Sequence, residues 1–149
     1  MCNRQSICYR PIGIIRVPIK DPKDIPRSPL NGQHITATIE IFPEFAAGLK
    51  DIEGFSHLIL LYHLHLSKDG KLLVKPRRAR KVHGVFTTRS PNRPNPIGLS
   101  VVRLLKVEAN LLHVQNVDFV DGTPLLDIKP YIPEVDQADD IRIGWLQSE

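Results

Sequence analysis

Cysteine, methionine and tryptophan are scarce in this chain: two Cys, one Met and one Trp stand among 149 residues. Cys2 and Cys8 are too few for a disulfide scaffold, and their spacing fits neither a zinc knuckle nor a redox pair. Free thiols in a reducing compartment are the expected state, with a disulfide between the two as the alternative. No apolar run approaches the roughly 20 residues that cross a bilayer. The first thirty residues also lack the basic-then-apolar order of a signal peptide, so a cytoplasmic location without a membrane partner is expected. A Gly-x-Gly-x-x-Gly loop, a Walker-type loop and an ordered Ser/His/Asp set are all absent, which argues against a nucleotide-binding fold or a hydrolytic triad.

Acidic residues are missing where basic ones gather. Ten of the twenty Lys and Arg residues lie from Lys71 to Lys106 with no Asp or Glu among them, whereas Asp118 to Asp140 holds seven acids and one Lys. Formal charge is +4, so the segregation is more informative than the sum and suggests a polyanionic partner. Arg77, Arg78, Arg80 and Lys81, with Lys75, form a run suited to tracking RNA phosphates; a solvated basic face is the plainer alternative. The acidic stretch from Glu134 to Asp140 reads as a solvated tail or a dimer contact.

The length fits one domain over residues 1–149. Apolar and β-branched residues predict strands at Tyr9 to Val17, at His34 to Ile41, where Ile35, Ala37, Ile39 and Ile41 share a face, and at Phe55 to Leu66. A short helical turn is expected at Pro43 to Leu49 and a short strand at Gly84 to Thr88. Gly98 to Val107 and Leu111 to Val117 read as a hairpin around Glu108, Ala109 and Asn110, and one more strand covers Leu125 to Ile128, followed by Pro-rich coil. The total is an all-β class: an antiparallel sheet closed into a small β-barrel with short helical turns. His57, His63 and His65 share one strand face, which invites a metal reading. The pair His63-x-His65 supplies two ligands at most, and no third carboxylate or cysteine stands at a convincing spacing, so no metal is expected.

The most specific stretch is Gly84-Val85-Phe86-Thr87-Thr88-Arg89-Ser90-Pro91-Asn92-Arg93-Pro94-Asn95-Pro96-Ile97-Gly98-Leu99-Ser100. Pro26-Arg27, Gly54-Phe55-Ser56-His57-Leu58 with His65 beyond, and Asp121-Gly122-Thr123-Pro124 running into Asp127-Ile128-Lys129-Pro130-Tyr131 complete a set. In this order the motifs resemble those of the TsaA-like family and span nearly the whole chain. The resemblance implies a dimeric β-barrel enzyme that binds S-adenosylmethionine near its subunit interface. It also implies methyl transfer to the exocyclic N(6) of a threonylcarbamoyl-adenosine beside the anticodon of tRNA. By similarity, Pro26, Arg27, Ser28, His65, Leu66, Arg89, Val101, Asp118, Phe119, Val120 and Asp121 fall at cofactor-contacting positions. Ser28 and Leu66 depart from the family pattern, which often has Gln at both.

The residues suit such roles on physical grounds. Methyl transfer from a sulfonium is a direct displacement, so holding nucleophile and methyl group in line matters more than strong acid or base catalysis. Pro91, Pro94 and Pro96 stiffen the loop, although prolines alone also describe an ordinary surface turn. Arg89 and Arg93 can hold phosphates or stack on a base, and Asn95 can present a carbonyl to the target amine; Arg93 and Asn95 are the candidate catalytic pair. Asp118 and Asp121 can accept from an ammonium or from ribose hydroxyls, or each can serve a local turn. All of this requires the arginine loop and the Asp-Gly-Thr-Pro corner to meet in one pocket. Two other readings remain: a non-catalytic RNA-binding barrel, and a metal-dependent small-molecule barrel enzyme using the histidines.

Overall fold

Alternation of inward apolar and outward polar residues governs the architecture. In the computed structural model, which describes residues 5–18, 21, 23 and 35–148, six antiparallel strands close into a barrel. They are β1 (Gly13–Arg16), β2 (Thr36–Ile41), β3 (His57–His63), β6 (Ile97–Glu108), β7 (Leu111–Gln115) and β8 (Thr123–Pro130), joined in the order β1-β2-β7-β6-β3-β8. A two-stranded ribbon, β4 (Leu73–Val74) with β5 (His83–Gly84), lies apart from the barrel. Closure removes the unpaired edges that an open sheet of this size exposes.

Inward positions fill the barrel. Ile15, Ile39, Leu58, Leu60, Val102 and Leu112 are almost wholly buried, each contributing about 1.5–3 kcal/mol from burial. β3 is shorter than the expected Phe55 to Leu66, which leaves His65 and Leu66 beyond the strand; along it Leu58, Leu60 and Tyr62 point inward, while His57, Ile59 and Leu61 are only partly covered. The 12-residue β6 is long enough to need a bend. Its register on β7 shifts between Leu104 and Lys106, so Leu105 and Lys106 are both exposed in succession. Ala109 and Asn110 turn the β6-β7 hairpin, with Ala109 at a left-handed φ of 54° and Asn110 donating to the Ile41 carbonyl at 2.8 Å.

Several boundaries differ from expectation. Gly84 to Thr88 is not a strand throughout: β5 ends at Gly84 and a 3-10 turn covers Val85–Thr87. The hydroxyls of Thr87 and Thr88 donate to the carbonyls of Gly84 and Val85, so these groups are satisfied locally rather than by a neighbouring strand. The segment after β8 is not all coil. Pro133–Asp136 forms one helical turn, with Pro at its first position and the Asp136 carboxylate accepting from the Ile132 N–H at 2.6 Å. Gly144–Gln147 forms a 3-10 turn. The helical turn expected at Pro43–Leu49 is a 3-10 helix. Cys8 is not a free thiol, which corrects that expectation, and Cys2 lies outside the described residues.

Candidate functional site

The inner face of β6 carries a polar interruption. Gly98, Ser100 and Val102 follow one another on that face, and Ser100 is 6% exposed. A buried hydroxyl is costly unless it is hydrogen-bonded, and Ser100 has two partners. Its Oγ lies 2.8 Å from the Tyr62 hydroxyl and donates to Asp118 Oδ1 at 2.5 Å. Asp118 stands in the turn after β7, which Asn116 opens with a left-handed φ of 72°. Burial pushes the Asp118 carboxyl above the usual carboxylate range, opposed by the Ser100 hydrogen bond and by the Arg89 guanidinium. Burial also raises the Tyr62 phenol, so it keeps its proton at any ordinary pH.

The loop between β5 and β6 is braced from a second direction. Ser67 donates to the Pro91 carbonyl at 2.6 Å, and the Asn92 carboxamide oxygen accepts from the Lys68 N–H at 3.3 Å. Leu64 N–H bonds the Pro96 carbonyl at 2.7 Å. Gly70 approaches so closely that a Cβ there would lie 3.1 Å from the Arg93 carbonyl oxygen. The segment following β3 therefore holds the whole proline loop, and the prolines are only part of its rigidity. The tail adds a third support: Trp145 stacks on His83 with centroids 4.1 Å apart, and its indole N–H donates to Thr87 Oγ1 at 3.0 Å.

Within this frame the expected residues separate into groups. Arg89 is exposed, and its charge acts on both Asp118 and Tyr62. His65 and Leu66 follow β3 into the brace beside the loop, and burial holds His65 below the ordinary histidine value, with His63 adding to the effect. Asn95 is exposed; its backbone carbonyl accepts from Ile97 N–H at 2.7 Å, while its carboxamide has no partner among the described residues. Arg93 is turned inward on its own loop, donating to the Thr88 and Ser90 carbonyls at 2.9 and 3.2 Å.

Other positions point elsewhere. Val101 lies on the outer face of β6 with Ile97 and Leu99, all exposed. The Phe119 and Val120 side chains are buried, Phe119 packing edge-on against Tyr62 with centroids 4.9 Å apart, so only their backbone is left to meet a ligand. Asp121 accepts from Val17 N–H at 3.1 Å, lies 3.9 Å from Arg16, and lines a cleft of about 300 Å³ with His113 and Thr38. That cleft includes neither Arg89 nor Asp118. Pro26, Arg27 and Ser28 lie outside the described residues. Arg77, Arg78, Arg80 and Lys81 are exposed between β4 and β5. No cluster of three metal-ligating side chains occurs among the described residues.

Tyr62, Ser67 and Trp145 were not expected at the site, and Ser100 was expected only as the end of the signature stretch, without a role. A signal existed for Ser100, because a hydroxyl alternating with Gly98 and Val102 on an otherwise apolar strand face requires a buried partner.

The order of these elements is that of a known family: residues 14–137 match the model of the tRNA-methyltransferase O N-terminal domain. The chain belongs to this family. Among relatives, it is 58% identical to a probable S-adenosyl-L-methionine-binding protein of Pyrococcus abyssi, over 95% of this chain and 77% of that one. It is 35% identical to the tRNA (adenine(37)-N6)-methyltransferase of Escherichia coli K12, over 96% of this chain and 65% of that one. The crystal structure of TrmO from Pseudomonas aeruginosa superposes with a TM-score of 0.79 at 39% identity, covering 96% of this chain and 62% of that one. The chain thus spans a little under two thirds of those last two proteins. The all-β barrel and the family resemblance read from the motifs are both borne out.

Proposed function

We propose that this member of the family is an S-adenosylmethionine-dependent methyltransferase that modifies N(6) of adenosine beside the anticodon of tRNA, with threonylcarbamoyl-adenosine as the target. The observation that carries this reading is the hydrogen bond from Ser100, just past the proline loop, to the Asp118 carboxylate, with the Arg89 charge at the loop's other end lowering that carboxyl's pKa. With Ser100 taking one acceptor site, the carboxylate keeps others open, and the ammonium of the cofactor is a donor that suits them. Family membership supports the same donor.

The parts divide the work plainly. The braced loop holds its shape before the substrate arrives, so little ordering entropy is lost on binding. Asn95, exposed at the loop's tip with an unengaged carboxamide, orients the target amine. Arg93 supports this indirectly, because its guanidinium ties the loop's own carbonyls. Arg77, Arg78, Arg80 and Lys81 hold RNA phosphates, and a single-stranded loop is where base edges are reachable. The exposed outer stripe of Ile97, Leu99 and Val101 supports association of two copies, with Val101 close to the cofactor through that contact.

Incubation with methyl-labelled S-adenosylmethionine and tRNA carrying or lacking the threonylcarbamoyl group tests the reading. Label is expected in the modified adenosine of the first RNA. An unlabelled product from every RNA sinks the enzymatic reading, and label only in unmodified tRNA sinks the substrate assignment.

A further inference from the structure

The hydroxyl pair behind Asp118 is more elaborate than packing requires. Position 100 sits on the inner face of β6 beside Val102, where another aliphatic residue would serve the core without any hydrogen-bonding demand. Instead three residues cooperate to deliver a hydroxyl there. Gly98 pairs with Tyr62 across β3 and β6 and gives up its side chain, so that the tyrosine ring lies across the strand. Phe119 packs edge-on against the same ring. The phenol is thereby fixed 2.8 Å from Ser100 Oγ, and Ser100 reaches Asp118.

The direction of this chain follows from proton counting. Ser100 has a single hydroxyl proton, and an ionised carboxylate only accepts. Ser100 therefore donates to Asp118, and its own oxygen must accept from the Tyr62 phenol. Burial keeps that phenol protonated, so the donor at the head of the chain is always supplied. A carboxylate offers about four lone-pair sites. Ser100 occupies one of them, which leaves acceptor capacity for a ligand.

We infer that Ser100 and Tyr62 are positioning residues for cofactor recognition: they lock the Asp118 carboxylate in one rotamer, as an acceptor, facing a cationic or hydroxyl donor of the bound ligand. This rests on the reading of Asp118 as a cofactor contact. Neither hydroxyl touches the ligand; both act through Asp118.

Equilibrium binding of S-adenosylmethionine to Ser100→Ala, Tyr62→Phe, Asp118→Asn and the Ser100→Ala/Asp118→Asn double variant tests the inference. Loss of a charge-assisted hydrogen bond should raise Kd about tenfold in Ser100→Ala, and loss of the more distant phenol about threefold in Tyr62→Phe. In the Asp118→Asn background, Ser100→Ala should change Kd less than about twofold, because the two act as one unit. In turnover, KM for the cofactor should rise while KM for tRNA stays unchanged. Wild-type affinity in Ser100→Ala, or full multiplication of the two losses in the double variant, overturns the inference and leaves the methyltransferase reading standing. Should Ser100→Ala fail to fold, Tyr62→Phe decides alone, and unchanged affinity in it overturns the inference. A wild-type protein without saturable cofactor binding overturns both.

Discussion

The ring of Tyr62 occupies the space in which a side chain at Gly98 would begin, across the β3-β6 pairing. A methyl group at 98 would force the ring off Ser100 and strain two central strands. Gly98→Ala is expected to destabilise the fold by about 1–3 kcal/mol, the range for overpacking a filled core. A thermal melt checks this, and a variant melting at the wild-type temperature would mean that the ring has room to move.

Asp118 offers a stability prediction with a definite sign. Its carboxyl is raised above the ordinary value of 3.8, chiefly by burial. A group of this kind binds its proton more tightly folded than unfolded. Protonation therefore stabilises the fold fully below the unfolded pKa, and this benefit is lost as pH rises through the folded value. At neutral pH the ionised form costs stability. Asp118→Asn keeps an acceptor for Ser100 and removes the charge, so it should melt above wild type at pH 7, by about 2–4 °C for each kcal/mol recovered. The gap should close as pH falls below 3.8. The same variant should bind the cofactor poorly, and a lower melting temperature at pH 7 would contradict the electrostatic reading.

Two asparagines in one loop should behave differently. Asn92 accepts from the segment after β3, whereas the Asn95 carboxamide is exposed. Asn92→Ala should cost about 1 kcal/mol of stability and loosen the loop. Asn95→Ala should change stability by less than about 0.5 kcal/mol, as exposed substitutions do, while lowering kcat. Parallel melts and steady-state assays separate them, and equal turnover in Asn95→Ala and wild type removes that residue from the chemistry.

The basic residues between β4 and β5 should reveal themselves through salt. Arg77→Ala and Lys81→Ala are each expected to weaken tRNA binding and to reduce the slope of log K against log salt by about 0.7–0.9. Unchanged slopes in both would make this run a solvated face.

Much of the barrel was legible because strand alternation reports burial directly. Ile35, Ala37, Ile39 and Ile41 fall on one partly to fully buried face, and Leu58, Leu60 and Tyr62 on another. Boundaries were less legible where side chains satisfy the backbone locally, as Thr87 and Thr88 do after β5. In the site, the loop and the acidic corner could be read as motifs, but not the partners that long-range contacts supply. Ser67 finds Pro91 and Trp145 finds Thr87 only through the tertiary fold. Side-chain direction was equally hidden: the motif of Asp118, Phe119, Val120 and Asp121 reads as one run, yet its members face a hydroxyl chain, the core and the Arg16 cleft in turn.

We propose that the proline loop and the Asp118 turn share one cofactor site, although the cleft lined by Asp121 of the Asp-Gly-Thr-Pro corner does not include Arg89. Titrating the labelled protein with S-adenosylmethionine while following backbone amide resonances tests it most directly. Arg89, His65 and Asp118 should shift together with a single Kd. Shifts confined to the Asp121 cleft with Arg89 and Asp118 unmoved, or two unrelated affinities, would contradict it.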